Sequence, residues 1–129
     1  MIVRGVIGVV AGLATLSGLL FAMGWMVDAI FGTAGGAAFM RNTPAMVLWL
    51  VWEAASVAAG GFVTASIARQ QRIRHAVAMG AVQALMTLGA MFSVGDAGSP
   101  LWFWLVGIGS MVPAAWCGGA MRRRAAPAG

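Results

Sequence analysis

The chain of 129 residues contains no lysine, one histidine, one cysteine and three acidic residues. Each scarcity excludes something. Cys117, being alone, can form no intramolecular disulfide and belongs to no metal-ligand spacing. His75, the one histidine, cannot complete a bis-histidine haem site. Asp28, Glu53 and Asp96 lie far apart in sequence, and no paired acids or activated nucleophile are visible. No catalytic residue, metal or cofactor is therefore expected. Charged residues make up only 9% of the chain, where soluble domains run at about 25%.

What is present is apolar. The chain is 61% hydrophobic, with a mean hydropathy of +0.91. So short a chain cannot hide that much apolar surface in one water-soluble core, so lipid must cover most of it. That excludes a soluble enzyme, a disordered tail and a disulfide scaffold. The net charge of +5 comes entirely from arginine on the basic side. In a soluble chain this would suggest nucleic acid. Here the arginines stand at the ends of apolar runs, where they set topology and meet the anionic head groups of the lipid bilayer. Nucleic acid is not an expected partner.

A membrane helix needs about 20 mostly apolar residues. Four segments qualify: 5–27, 45–68, 76–94 and 101–121. The expected fold is all-α, a compact four-transmembrane-helix bundle forming one integral membrane domain. Small residues after Phe31 resemble a signal-peptide cleavage site, but the first apolar run exceeds the usual length of about 7–15 residues, with only Arg4 before it. It is expected to be a retained helix. Arg4, Arg69, Arg72, Arg74, Arg122, Arg123 and Arg124 fall on one side of the membrane, and Arg41 on the other with Asp28 and Asp96. This bias places both termini in the cytoplasm. Exclusive arginine usage with abundant Ala and Gly fits a GC-rich bacterium, hence a bacterial inner membrane.

The two inward-going spans open alike. Thr43-Pro44 and Ser99-Pro100 each offer a hydroxyl as N-cap and a proline as first helical residue. Trp25, Trp102 and Trp104 are expected near the outer interface. The similarity extends further. Gly8-x-Val10-x-x-Leu13-x-Thr15-Leu16 recurs as Gly80-x-Val82-x-x-Leu85-x-Thr87-Leu88, and Trp49-Leu50-Val51 as Trp104-Leu105-Val106. Both halves end near a glycine pair, Gly60-Gly61 and Gly118-Gly119. Two repeated helical hairpins of the same orientation would account for this. Chance matching in so biased a composition is the alternative.

Small and polar residues show which faces of membrane helices meet. At helical spacing each span carries one such stripe: Gly8, Gly12, Thr15 and Gly18; Glu53, Ser56, Gly60 and Thr64; Gly80, Gln83, Thr87 and Ala90; Gly107, Ser110, Ala114 and Cys117. These are expected to turn inward, although Gly8-x-x-x-Gly12 could equally mark a homodimer face.

Glu53 requires a chemical explanation. It sits roughly 12 Å below the outer end of its span, where a carboxylate costs a few kcal/mol. It must therefore lie inside the bundle, protonated or hydrogen-bonded. In a functional reading it binds a proton or a cationic substrate, with Ser56, Gln83, Thr87 and Ser110 completing a polar site and Pro113 loosening the last span. In a structural reading it hydrogen-bonds across a helix interface. With one acid and no intramembrane cation, the structural role is the leading expectation.

The other candidates have ordinary roles. His75 anchors at the interface, the ten methionines pack rather than bind Cu(I), and Cys117 fills space as a small residue. The segment 31–39 is expected as an outer loop rather than a re-entrant one. By size and its membrane glutamate the chain resembles the small multidrug resistance transporters. Their essential acid lies in the first helix, however, and the one-sided arginines argue against their dual insertion. Fluoride channels share the size and four spans, without their threonine, serine and phenylalanine motif appearing here. No family follows. The leading function is a non-enzymatic structural, accessory or regulatory membrane protein, self-associating or serving a larger partner. The alternative is a small proton-coupled transporter or channel centred on Glu53.

Overall fold

Local chemistry sets the ends of the helices. The computed structural model describes residues 2–32, 37–94 and 99–127 and is 91% helical, with no strand among those residues. Its elements are α1 (Ile2–Phe31), α2 (Ala37–Met40), α3 (Thr43–Ile67), α4 (Arg72–Val94) and α5 (Leu101–Ala125). Gly32 ends α1 with a left-handed φ of 61°, and its N–H donates to Asp28 O at 2.9 Å. Asn42 caps α3, its side-chain oxygen accepting from the Ala45 N–H at 3.1 Å, with Pro44 in the first turn. The expected cap, Thr43, is already helical, one position too late for the role. At α5 the N-cap is Pro100 and no side chain caps the helix. Ser99, expected to cap it, stands one residue too early, and its Oγ is buried without a partner among the described residues.

Four long helices have the length and apolarity to cross a membrane and pack against one another, so the protein is a multi-pass helical membrane protein. Each extends beyond at least one of its sequence-derived ends. α1 reaches Phe31, α4 begins at Arg72, and α5 continues through Arg122, Arg123 and Arg124 to Ala125. Hydropathy sees only the lipid-covered part of a helix. Arginine is a good helix former, and it complements the negative C-terminal end of α5. The connection from α3 to α4 is tight. Arg69 (φ 29°) and Gln71 (φ 50°) occupy the left-handed region that side-chain-bearing residues rarely adopt. Asp96 and the small-residue stretch 33–36 lie outside the described residues.

All the arginines except Arg41 gather at one end. Arg4, Arg69 and His75 border one cleft there, and Arg69, Arg72, Arg74 and Arg123 another. Arg122 lies over the Phe62 ring at 5.9 Å. His75 packs against Gly5, and its Nδ1 is 3.1 Å from Gln71 O.

Just beyond this arginine end the helices approach backbone to backbone. A Cβ on Gly12 would fall 2.7 Å from Gly60 O, and one on Gly60 would fall 2.8 Å from Gly12 O. Thus Gly8 and Gly12 are occupied by α3 of the same chain rather than left for a second copy. The adjacent Gly61 meets Ala115 of α5 instead, so the Gly60-Gly61 pair serves two neighbours at once. Gly118-Gly119 does the same, with Gly118 against Ala58 of α3 and Gly119 against Ala76 of α4. Without side chains in the way, dispersion contacts between backbones hold helices together where lipid supplies no hydrophobic drive.

The glycine layer gives way to an apolar one. Leu16, Val57, Met79, Met111 and Ala115 form a fully buried cluster with contributions from all four long helices. Above it the bundle opens. The backbone of α3 approaches each of the other long helices, but among the described residues the backbones of α1 and α5 stay apart. A two-fold axis relating the hairpins would exchange the α1–α5 and α3–α4 pairs. Only the second pair approaches backbone to backbone among the described residues, so the hairpins are not equivalently placed. Among the described residues, the buried ones of α4 all lie in its first half, at Ala76, Met79 and Gly80, and its second half turns Leu85, Met86 and Phe92 outward.

This geometry corrects three of the four polar stripes. Only Glu53, Ser56, Gly60 and Thr64 are buried along their whole length. On α1 the buried line continues from Gly12 to Leu16 and Met23, leaving Gly18 facing open space. On α4, Ala90 is exposed. On α5 the buried line is Gly107, Met111, Ala115 and Gly118, displaced by one residue from Ser110, Ala114 and Cys117, and Cys117 is exposed rather than packed. The physical reason is visible at Ser110, whose hydroxyl donates to Gly107 O of its own helix at 2.9 Å. A hydroxyl satisfied in this way has no need of an interface.

Candidate functional site

One turn beyond the apolar layer, away from the arginine end, lies a cavity of about 430 Å³. The register is the same on every helix. Leu20, Glu53, Gln83 and Gly107 line the cavity, and each is four positions from Leu16, Val57, Met79 and Met111 in the layer beneath. The helical repeat of 3.6 residues thus stacks a closed layer under an open one. The gap between α1 and α5 makes the space. α2, the second turn of α3 and the first turn of α5 wall it toward the far end with Phe39, Trp49, Phe103 and Trp104.

Glu53 sits at the base. Its residue is 7% exposed, and among the described residues no hydrogen bond is made to its carboxyl. Gly107 opposite is small enough to admit it, since a Cβ there would lie 3.3 Å from Glu53 Oε2. The neighbouring Trp52 ties α3 to α1, its indole N–H donating to Leu19 O at 2.9 Å. That bond holds the helix carrying Glu53 beside the cavity. Farther out, the exposed Asp28 of α1 borders the mouth.

Gln83 and Thr87, one turn apart on α4, face the same space. Elsewhere Thr15, Ser66 and Ser93 donate to carbonyls of their own helices at 2.8–2.9 Å. Gln83 and Thr87 make no such bond and keep their polar groups available. The structure therefore brings Glu53, Gln83 and Thr87 together. Ser56 is buried but does not line the cavity, and Ser110 faces elsewhere.

The aromatic wall was not expected. Phe39 meets Trp49 edge-on at 5.8 Å and Phe103 at 6.0 Å, and Phe103 continues to Trp104 at 6.0 Å. Two sequence signals point to it in retrospect. Trp49 precedes Glu53 by four positions and Phe103 precedes Gly107 by four, so each shares a helix face with a residue of the site. Trp104 is half-buried against the cavity, whereas Trp25 is exposed. No His, Cys, Asp or Glu cluster suited to a metal occurs among the described residues.

No family model, curated protein or solved structure matches this chain. Its function must be argued from the site.

Proposed function

We propose that this is a small, non-enzymatic, multi-pass protein of the bacterial inner membrane, with both termini cytoplasmic, that binds a small solute at Glu53 and moves it in exchange for a proton. One observation carries the reading: a buried carboxyl without a hydrogen-bond partner faces an open cavity. A carboxyl kept only to join helices would receive a hydrogen bond across an interface. An intramembrane acid is costly and marks an ion or proton pathway unless a partner explains it. The packed layer of Leu16, Val57, Met79 and Met111 closes the cavity toward the arginine end, as one state of an alternating-access cycle requires. Pro113, on the lipid-facing side of α5, removes a backbone hydrogen bond where that helix would have to yield.

The test is proton-coupled solute flux in liposomes. Glu53→Gln, which keeps the shape and loses the titration, abolishes the flux and leaves thermal stability unchanged. Retained flux with lowered stability restores the structural role of Glu53.

A second reading, as accessory to a larger membrane partner or a second copy, has its own support. The outward face of α4 carries Leu85, Met86, Gly89 and Ala90, and a Cβ on Gly89 meets open space. Small residues on a lipid-facing stripe admit another helix. A solitary monomer in mild detergent counts against it.

A further inference from the structure

We infer that the arginine end of the bundle is a binding site for a lipid with two phosphates, the diphosphatidyl lipid cardiolipin, one phosphate entering each of two adjoining clefts. The inference is independent of what Glu53 does. It also goes beyond a general attraction of arginines to anionic head groups, because it assigns one lipid to one place. The first cleft, of about 370 Å³, lies between Arg4 on α1 and the connection from α3 to α4, with Arg69, Gln71 and His75 on its border. The second, of about 400 Å³, is bordered by Arg69, Arg72 and Arg74 and, from α5, by Arg123. Arg69 and Gln71 belong to both, so the clefts share a wall.

Charge says what the clefts take. Arg4, Arg69, Arg72, Arg74 and Arg123 line the pair, and among the described residues no Asp or Glu lines either. Guanidinium groups drawn together without a carboxylate repel one another, and an anion between them turns repulsion into attraction. The planar fork of arginine fits phosphate oxygens two at a time. Arg72 is steadied by its Nε, which donates to Arg69 O at 3.2 Å, and its terminal N–H groups remain for a ligand. The backbone adds a separate argument. Arg69 and Gln71 stand at φ 29° and 50°, where glycine is relaxed and a side chain is strained. Such strain is tolerated where the side chain has a task. A guanidinium between two clefts can serve a phosphate on either edge.

The surroundings favour a lipid over a water-soluble diphosphate. Ile2, Val3 and Val6 at the start of α1 and Met121 near the end of α5 are exposed at this same end. They offer acyl chains an apolar surface beside the clefts, which a soluble anion would not use. Basic pockets between membrane helices hold lipid head groups in this manner. A lipid with one phosphate fills one cleft and leaves the arginines of the other opposed.

The delipidated full chain in neutral detergent is titrated with cardiolipin, with phosphatidylglycerol at equal phosphate concentration, and with inorganic pyrophosphate. Native mass spectrometry counts the bound molecules, and thermal unfolding followed by circular dichroism reads the stabilisation. One cardiolipin per chain is expected, with an apparent affinity about tenfold or more above that of phosphatidylglycerol, and no saturable effect of pyrophosphate. Arg69→Gly loses about tenfold or more in cardiolipin affinity, yet without lipid it unfolds no earlier than the wild-type protein, because glycine relaxes the left-handed φ. Arg74→Gln, which borders the second cleft and leaves that backbone alone, weakens cardiolipin severalfold. Arg124→Gln removes the same charge outside both clefts and keeps wild-type affinity. Equal affinity for phosphatidylglycerol, or an equal loss in Arg124→Gln, reduces the arginines to diffuse attraction and overturns the inference. Pyrophosphate binding as tight as that of cardiolipin assigns the clefts to a water-soluble diphosphate and overturns the lipid.

Discussion

Replacing Gly12 with alanine tests whether backbone contact between α1 and α3 holds the bundle together. The new Cβ would lie 2.7 Å from Gly60 O and would also collide with Thr64 Oγ1. Ordinary contact begins near 3.4 Å, so α1 and α3 must separate by several tenths of an ångström along a tightly packed face. Overpacking of this kind costs about 1–3 kcal/mol. The substitution also brings a gain, because alanine is the better helix former by about 1 kcal/mol. Gly18→Ala isolates that gain, since it lies on the same helix where a Cβ meets nothing within 4 Å. Gly12→Ala is therefore expected to be less stable than Gly18→Ala by about 1–3 kcal/mol, the propensity cancelling between them. Reversible unfolding in mixed detergent–dodecylsulfate micelles, read by circular dichroism, measures the difference. The double variant Gly12→Ala, Gly60→Ala costs less than the sum of its parts, because one separation relieves both contacts. Equal stability of Gly12→Ala and Gly18→Ala would refute the close approach.

Three further outcomes are expected. Gly107→Leu fills the space in front of Glu53 Oε2 without altering the carboxyl, and abolishes flux as completely as Glu53→Gln does. Preserved flux in that variant would remove Gly107 from the site. Asn42→Ala loses the α3 cap and about 0.5–2 kcal/mol of stability, whereas Thr43→Ala is nearly neutral; equilibrium unfolding of the two decides between them. A green fluorescent protein fused after Ala126 fluoresces in bacterial cells and alkaline phosphatase fused there is inactive, following the arginine bias. An active phosphatase would invert the orientation.

Much of this architecture is legible in the residues, and the misses have physical causes. Four apolar runs bounded by arginine lead directly to α1, α3, α4 and α5. The line Glu53, Ser56, Gly60 and Thr64 is read correctly because its members are costly or small, and lipid is a poor place for them. On α5 the same logic slips by one residue. Ser110 satisfies its hydroxyl on its own helix, and the truly buried Met111 looks like any lipid-facing methionine. The capping residue of α3 escapes for a similar reason, since Asn42, Thr43 and Pro44 form a run in which only backbone geometry chooses the cap. Glu53 is identifiable from its depth alone. Its cavity is not, because the space exists where the backbones of α1 and α5 stand apart. Such a separation leaves no pattern in either helix. The aromatic wall is hidden by the dual role of tryptophan, equally suited to the lipid interface and to a binding surface.

The exchange of a proton for a solute at Glu53 is the central claim, and proton movement coupled to solute entry tests it most directly. Wild-type protein and Glu53→Gln are reconstituted into liposomes with a trapped pH-sensitive dye, and small cationic, neutral and anionic solutes are added one at a time. The account predicts that at least one solute moves protons across the wild-type liposomes and that none does so with Glu53→Gln. Solute entry without proton movement, or equal proton movement with Glu53→Gln, would contradict it.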